Sequence, residues 1–377
     1  MKNFVCVFSM AFLLSSCSIN PVLETQYESV DQVLEDSVSI GIPGISVCYG
    51  HSLSYQCKQD GFISIETETA VELNSQFRLA SITKTFTAAL VFELAKKDLI
   101  DVNGRYIDYV DTDIVSRIPN IEKVTILNLL EHTSGIFNFT NSDGFERNLF
   151  GTHALDASDM LPNQILNYVV QEGVSPTFLP GQDREYSNSG YILLGLLIEK
   201  VTGLTYAQAL QEFIFGPCGM NDTFVEGESS GLPYPPLYLN SYTYADTWDR
   251  FVKKQFGIGN GILTGIDPIG SSNLYNVSHS RQHFNAWAWS AGAVVSSAPD
   301  LAKFFQCYFR GDFQTALIPE ELLNYKTYGW RGLSTGIDAL MMYDVKDEYF
   351  YIVLVNATNG VVDTNDIYLK LREVVNR

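Results

Sequence analysis

Phe77-Arg-Leu-Ala-Ser-Ile-Thr-Lys-Thr-Phe-Thr-Ala-Ala-Leu90 sets a serine and a lysine three residues apart at the start of a strongly helical, apolar run. Positions i and i+3 lie one helical turn apart, so the amine of Lys84 can reach the hydroxyl of Ser81. Ser81 falls where the helix begins. Unpaired backbone N–H groups and the positive end of the helix dipole there favour a developing alkoxide or oxyanion. Lys84 stands among Phe86, Ala88, Ala89, Leu90, Val91 and Leu94, and burial among them would lower its pKa toward that of a usable base. A Ser-x-x-Lys tetrapeptide is more often a helix start with a solvated lysine. Of the lysines in this chain, however, only Lys84 has a serine three residues before it.

Working outward, 377 residues with 46% hydrophobic content can bury a large core, as one big domain or two intimate subdomains. A formal charge of −19 argues against a nucleic-acid partner, because a phosphate backbone needs a basic surface. Residues 1–16 hold one basic residue, an apolar stretch too short to span a bilayer and then small residues, the pattern of an export signal. Leu14-Ser-Ser-Cys17 resembles the bacterial lipobox, which implies cleavage before Cys17 and a lipid anchor on that cysteine. An ordinary signal peptide cut nearby is the alternative. The expected location is the bacterial cell envelope, at the outer membrane facing the periplasm in a Gram-negative cell.

Four cysteines remain in residues 17–377 beyond Cys17 itself. Cys48 and Cys57 lie on two expected strands joined by a short turn, where a disulfide and a pair of buried thiols are both open. No cysteine and histidine spacing reads as a metal site, and no cofactor is implied.

Val22 to Ile40 is expected to form an amphipathic helix, and Val124 to Gly135 a helix closed by glycine. Further on, Pro180-Gly-Gln-Asp-Arg-Glu-Tyr-Ser-Asn-Ser-Gly-Tyr-Ile-Leu-Leu-Gly195 joins a tight turn and polar loop to an apolar helix. Tyr186 and Asn188 are two apart, so in an extended loop a phenol and a carboxamide enter one cleft. Tyr238-Leu-Asn240 repeats the bare pattern in a proline-rich loop, and context favours the first.

Together Ala80-Ser-Ile-Thr-Lys84, Leu129-Leu-Glu-His-Thr-Ser-Gly135, Pro180-Gly, Tyr186 to Gly195, Glu199-Lys-Val-Thr-Gly203, Pro217-Cys-Gly-Met220 and Val294 to Ala302 resemble the serine beta-lactamase-related family, in order and spacing. That family includes class C beta-lactamases, D-alanyl-D-alanine carboxypeptidases and lactamase-like carboxylesterases. The resemblance runs from about Gly44 to Asn356. It implies an α/β (α+β) fold, an antiparallel sheet flanked by the terminal helices, Val22 to Ile40 and about Thr364 to Val375. An all-helical subdomain, about Tyr106 to Asn285, would close the cleft. It also implies Ser81 as the acylated nucleophile, Lys84 as its base or proton relay, Tyr186 as the relay of a proton to the leaving group and Asn188 as a hydrogen-bonding partner of the substrate's acyl side. His132 resembles the family's structural histidine.

The family's third motif, Lys-Thr-Gly or His-x-Gly, is where this chain departs. Counting back from the strand Phe350 to Asn356 puts it at Trp330-Arg-Gly332, so the cation is absent. Lys326 to Gly329 and Ser334-Thr-Gly336 are the other registers. In the first register Gly332 lets a substrate approach the strand, and the N–H of Leu333 joins that of Ser81 as an oxyanion hole. Arg331, on the opposite strand face from Trp330, would then be a solvated residue. An indole in place of a cation suits a neutral ester better than a carboxylate-bearing penicillin or peptidoglycan-like peptide. Tyr234, Tyr238, Tyr242, Tyr244, Trp248, Trp287 and Trp289 are expected to extend that aromatic wall or else to fill a packed insertion. The expected activity is therefore carboxylester hydrolysis through an acyl-enzyme. Beta-lactam or D-alanyl peptide hydrolysis, and non-catalytic binding of penicillins or cell-wall fragments, are the alternatives.

Overall fold

Gly44–His51 is a nearly unbroken apolar strand because both of its faces are covered. A computed structural model describes residues 27–51, 53–110, 112–145, 161–173, 175–227, 240–244, 267–268, 274–278, 287–308, 327–334, 336–344, 347–358 and 363–377. In chain order the elements that matter for the site begin with α1 (Val30–Ser39), β1 (Gly44–His51), β2 (Ser54–Ser64), β3 (Thr69–Ala70), β4 (Phe77–Arg78) and α2 (Thr83–Lys96). Then come α3 (Ile126–Leu130), α4 (Asn188–Thr202), β5 (Phe224–Val225), β6 (Tyr242–Tyr244), β7 (Asp267–Pro268), β8 (Leu274–Asn276), β9 (Val294–Ser296) and α5 (Ala298–Tyr308). The chain closes with β10 (Thr327–Ser334), β11 (Ile337–Asp344), β12 (Tyr349–Val355), β13 (Ala357–Thr358) and α6 (Thr364–Val375).

β1 lies inside an antiparallel sheet of order β10-β11-β12-β1-β2-β3. Side chains alternate between the faces of a strand, and the partition is clean. Ile45, Val47, Tyr49, Tyr351, Val353 and Val355 meet Val30, Val33 and Leu34 of α1 and Ile367, Tyr368 and Leu371 of α6. Cys48, Phe350, Ile352 and Leu354 face the main core instead, where Phe350 stacks on Phe305 of α5 with ring centroids 4.9 Å apart. Each such side chain, fully buried, contributes about 1.5–3 kcal/mol. The helix α6 matches its expected range. The N-terminal helix begins later than expected, at Val30, because Ser29 caps it by accepting the Gln32 N–H at 3.2 Å; residues 22–26 lie outside the described residues.

Two expectations need correction. The segment from Tyr106 to Asn285 is not all helical: it contains β5, β6, β7 and β8. β6 pairs in parallel with β13, and Tyr242, a strong strand former, is anchored by a 2.7 Å hydrogen bond to Glu66. The helix expected over Val124–Gly135 shrinks to α3. It stops because the Thr133 N–H folds back onto the Asn128 carbonyl (2.9 Å) with His132 in the left-handed region at φ 60°.

Cys48 faces Cys57 directly across the β1–β2 ladder, with Cα atoms 4.1 Å apart, and the two form a disulfide. A second disulfide, Cys218–Cys307, ties the segment after α4 to α5 and was not anticipated from sequence. The pairs are 9 and 89 residues apart. Because the longer loop restricts the unfolded chain more, replacing Cys218 and Cys307 with serine should cost about 4.5 kcal/mol, against about 2.5 kcal/mol for Cys48 and Cys57. Urea denaturation of the two double variants checks the order.

Candidate active site

Phe77 and Arg78 are held as a strand against β9, and the Leu79 N–H continues that pairing to the Val294 carbonyl at 3.0 Å. Arg78 is pinned by a bidentate ion pair with buried Glu226 and by a 2.8 Å bond to Ser241. The chain then turns abruptly. Ala80 takes φ 43°, a conformation that costs a non-glycine residue on the order of 1–3 kcal/mol, and a single 3₁₀ turn, Ala80–Ile82, leads into α2. Ser81 sits in that turn, at the open end of the helix.

Lys84 is 5% exposed. Its Nζ donates to Ser81 Oγ at 3.0 Å and to the Ala291 carbonyl at 2.6 Å. The ammonium position lies 5.0 Å from the Tyr186 ring centroid and 5.6 Å from that of Tyr191. Burial lowers the Lys84 pKa and Tyr186 opposes the shift. Ala291 is fixed from two sides, because Thr87 of α2 donates to the Ser290 carbonyl (2.7 Å) and Ser290 Oγ donates to the Tyr191 carbonyl of α4 (2.8 Å).

Tyr186 comes from the loop before α4, and its hydroxyl shares a 2.7 Å hydrogen bond with Ser81 Oγ. It is 39% exposed, with the phenol over the Ser81 hydroxyl. His132 supports it from behind. The imidazole lies 4.6 Å from the Tyr186 ring, its Nδ1 accepts the Ser187 N–H at 3.2 Å, and its carbonyl accepts the Glu185 N–H at 2.9 Å. Burial, with the charges of Lys84 and Arg184 adding, holds its pKa down at about 3, so it is neutral.

Asn188 opens α4. Its N–H donates to Asn138 Oδ1 at 3.1 Å and its Nδ2 to Thr140 Oγ1 at 3.3 Å. Asn138, Thr140 and the Ala291 carbonyl were missed in the sequence reading, and nothing in their local spacing marks them.

On the other side of Ser81 stands β10, at the sheet edge. A Cβ on Gly332 would collide with the Leu79 carbonyl oxygen and crowd the Ser81 nitrogen, so the strand reaches the Ser81 turn only because this residue is glycine. Gly332 therefore serves the approach of two protein segments. Of the other registers, Gly336 faces Ser241 and Val277, Ser334 ends the strand with its carbonyl accepting from Thr358 Oγ1, and Lys326 lies outside the described residues. Leu333 follows Gly332 with its side chain 55% exposed.

Trp330 does not stand as an open wall of the cleft. The indole is 8% exposed, 6.2 Å from the Phe305 ring and 6.5 Å from that of Tyr328, inside the main core. Arg331 does take the opposite face, yet it is no solvated residue: it pairs with Asp338 at 3.0 and 2.8 Å and with Asp363 at 3.0 Å. The wider aromatic wall is corrected likewise. Tyr242 and Trp289 are buried and Trp287 packs on Phe145 and Phe139, while Tyr234, Tyr238 and Trp248 lie outside the described residues, as does Cys17. Among the described residues no cluster of ligating side chains could hold a metal.

The family model described as "Beta-lactamase" matches residues 30–375. The chain is 27% identical over 321 residues to "Penicillin-binding protein 4*" of Bacillus subtilis (strain 168), covering 82% of this chain and 62% of that protein, so it spans less than two thirds of the relative's length. In three dimensions it is similar to the D-amino acid amidase of Ochrobactrum anthropi SV3, with TM-score 0.71, 19% identity and coverage of 92% and 98%. It is likewise similar to EstCE1, described as a hydrolase with promiscuous acyltransferase activity, with TM-score 0.67, 15% identity and coverage of 92% and 97%. At these identities the two structures speak to the fold.

Glu131, beside His132, is half-buried with Oε1 out of reach of any partner among the described residues. Burial raises its pKa from 4.5 to about 7 against the pull of Arg184. A raised carboxyl pKa means that the folded state disfavours the anion, so its stability is best below the unfolded value of 4.5 and is lost as pH rises through 7. Glu131→Gln should therefore stabilise the protein above about pH 7 by on the order of 1 kcal/mol, after allowance for solvent screening, and leave it unchanged near pH 4. Thermal melts across that range check the sign.

Proposed function

The chain belongs to the beta-lactamase family of serine hydrolases, and on that footing we propose that it forms an acyl-enzyme on Ser81 and preferentially hydrolyses carboxylesters. The observation that carries this reading is a single hydroxyl with two proton-handling groups on it, Lys84 Nζ at 3.0 Å and Tyr186 Oη at 2.7 Å. Two such contacts let one group take the serine proton while the other gives a proton to the leaving group.

In this mechanism the desolvated amine of Lys84 accepts the Ser81 proton as Oγ attacks the acyl carbon. The tetrahedral oxyanion is met by the N–H groups of Ser81 and Leu333, each donor being worth about a hundredfold or more in rate. Collapse breaks the bond to the leaving oxygen, which takes a proton from Tyr186, and the Lys84 ammonium restores that proton. Water then repeats the sequence in reverse on the acyl-enzyme, with the alcohol's part taken by Ser81. Asn188, oriented by Asn138 and Thr140, presents its carboxamide to the acyl side.

The preference for esters rests on charge. At the third-motif position the side chain is Trp330, within the core, and Arg331 is paired with Asp338 and Asp363 on the far face. Neither offers a cation to a substrate carboxylate, which a penicillin or a D-alanyl peptide carries and a neutral ester lacks. The second reading keeps the same acylation and changes the substrate, to a beta-lactam or a cell-wall peptide, with catalysis or mere binding. What favours it is the likeness to a penicillin-binding protein across 82% of the chain.

We further propose that the protein is exported and held in the cell envelope by a lipid on Cys17. Two disulfides, Cys48–Cys57 and Cys218–Cys307, suit an oxidising compartment and support that reading.

Mass spectrometry of the protein lacking residues 1–16 and carrying serine at position 17, mixed with a nitrophenyl ester or with a penicillin, separates the two substrate readings. Fast ester turnover without a lasting penicilloyl adduct is expected; a stable penicilloyl adduct on Ser81 with little ester turnover would move the protein to the penicillin-binding class. Ser81→Ala should lower turnover by at least about a thousandfold, and retention of activity in that variant would sink the acyl-enzyme itself.

A further inference from the structure

The helix that starts at Ser81 ends beside a second concavity. Glu93 and Lys97, at the C-terminal end of α2, open onto a cavity of about 420 Å³, a size within the range of small-molecule sites. At 1.5 Å per residue Glu93 lies about 18 Å along the helix from Ser81, so this cavity is no part of the acylation site.

Its walls combine features that a ligand can use. Glu212 and Phe213 come from the π-helical turn Gln211–Phe215, a rare conformation that recurs at functional sites. The Cys218–Cys307 disulfide contributes an apolar, covalently fixed surface. Glu93 Oε1 is buried with no hydrogen-bond partner among the described residues, and burial raises the carboxyl's pKa while Lys96 and Lys97 pull it down. Tyr308 lines the same cavity, and its phenol is pushed up by burial and by the Glu93 charge. Lys97 Nζ lies 5.6 Å from the Phe213 ring centroid. The cavity thus already presents one ammonium to an aromatic face, at the end of a solvent-exposed and flexible side chain.

We propose that this cavity is a second binding site, for a small organic cation bearing an aromatic or branched apolar group. The cation takes the place over Phe213 that Lys97 now covers and pairs with Glu93 and Glu212, while its apolar part lies on the disulfide. Lys97 swings to solvent at little cost. The formal charge of −19 raises the local concentration of cations around the whole molecule and works in the same direction.

The test titrates the Ser81→Ala protein, which cannot acylate, with 2-phenylethylammonium and with its charge-reversed counterpart 3-phenylpropionate, followed by calorimetry and ligand-observed NMR. The cation should bind at least about tenfold tighter than the anion, and Glu93→Gln should weaken it by about tenfold or more. Phe213→Leu should weaken it several-fold through loss of the cation–π contact. Lys97→Ala should strengthen it several-fold, because an internal competitor is removed; a purely structural role for Lys97 gives no gain. This exposed side chain can be truncated without disturbing the core, so that arm remains decisive even where Glu93→Gln fails to fold. No binding of the cation, equal binding of cation and anion, unchanged binding in folded Glu93→Gln, or unchanged or weaker binding in Lys97→Ala overturns the proposal.

Discussion

Removing the Lys84 amine from water is the constraint to which the rest of the site answers. A buried ammonium is costly unless every proton finds an acceptor. Here the acceptors are Ser81 Oγ and the Ala291 carbonyl, with the Tyr186 and Tyr191 rings closing the remaining directions. That arrangement aims the amine at Ser81 Oγ, while burial lowers its pKa. It also requires the Trp289–Ala291 turn to be rigid; Trp289 takes φ 41° there, and its ring lies 5.4 Å from that of Tyr206. Gly195 permits this, since a Cβ there would strike Ser290 Oγ and the Trp289 ring. Three of the seven described non-glycine residues with positive φ, Ala80, His132 and Trp289, belong to the segments that carry the site.

The sheet supplies the opposite wall and connects it to the termini. β10 is an edge strand, and edge strands can shift. Gly332 wedges it against Leu79, and Arg331 fastens its other face to Asp338 of β11 and to Asp363, the N-cap of α6. Asp338 is itself buried and accepts two further bonds from Thr364, its N–H at 3.1 Å and its hydroxyl at 2.8 Å. Breaking one partner of such a buried pair leaves an uncompensated charge. The C-terminal helix, remote from Ser81 along the chain, therefore takes part in fixing the strand that faces the nucleophile.

How much of this was legible in the sequence depends on how local each relation is. Ser81 and Lys84 are one helical turn apart, so spacing alone brings them together. Tyr186 lies 105 residues from Ser81, and only the order of several motifs, read as a family resemblance, joined the two. The roles of Asn138 and Thr140 depend on a loop packed against the start of α4, and no periodicity encodes that. The second disulfide joins residues 89 apart and was invisible for the same reason. Trp330 illustrates a different limit. Alternation correctly set Trp330 and Arg331 on opposite faces, but alternation does not say which face α5 covers, and Phe305 decides that.

That assignment of faces bears on chemistry more than on packing. An ammonium or imidazolium at the Trp330 position would sit beside Phe305 and Tyr328, in an apolar environment where an unpaired charge is strongly disfavoured. The indole instead gains by burial and stiffens β10 where the backbone must meet Ser81 closely. The one cation on this strand, Arg331, is consumed by two carboxylates on the far face, and its charge is neutralised before it could act across the strand. Among the described residues the cation in contact with Ser81 is Lys84, whose pKa burial lowers. On the proposed ester reading, a substrate carboxylate entering the site would lose water and gain no ion pair from Trp330 or Arg331, whereas a neutral acyl group loses little on entry and meets the same hydroxyl, amine and phenol.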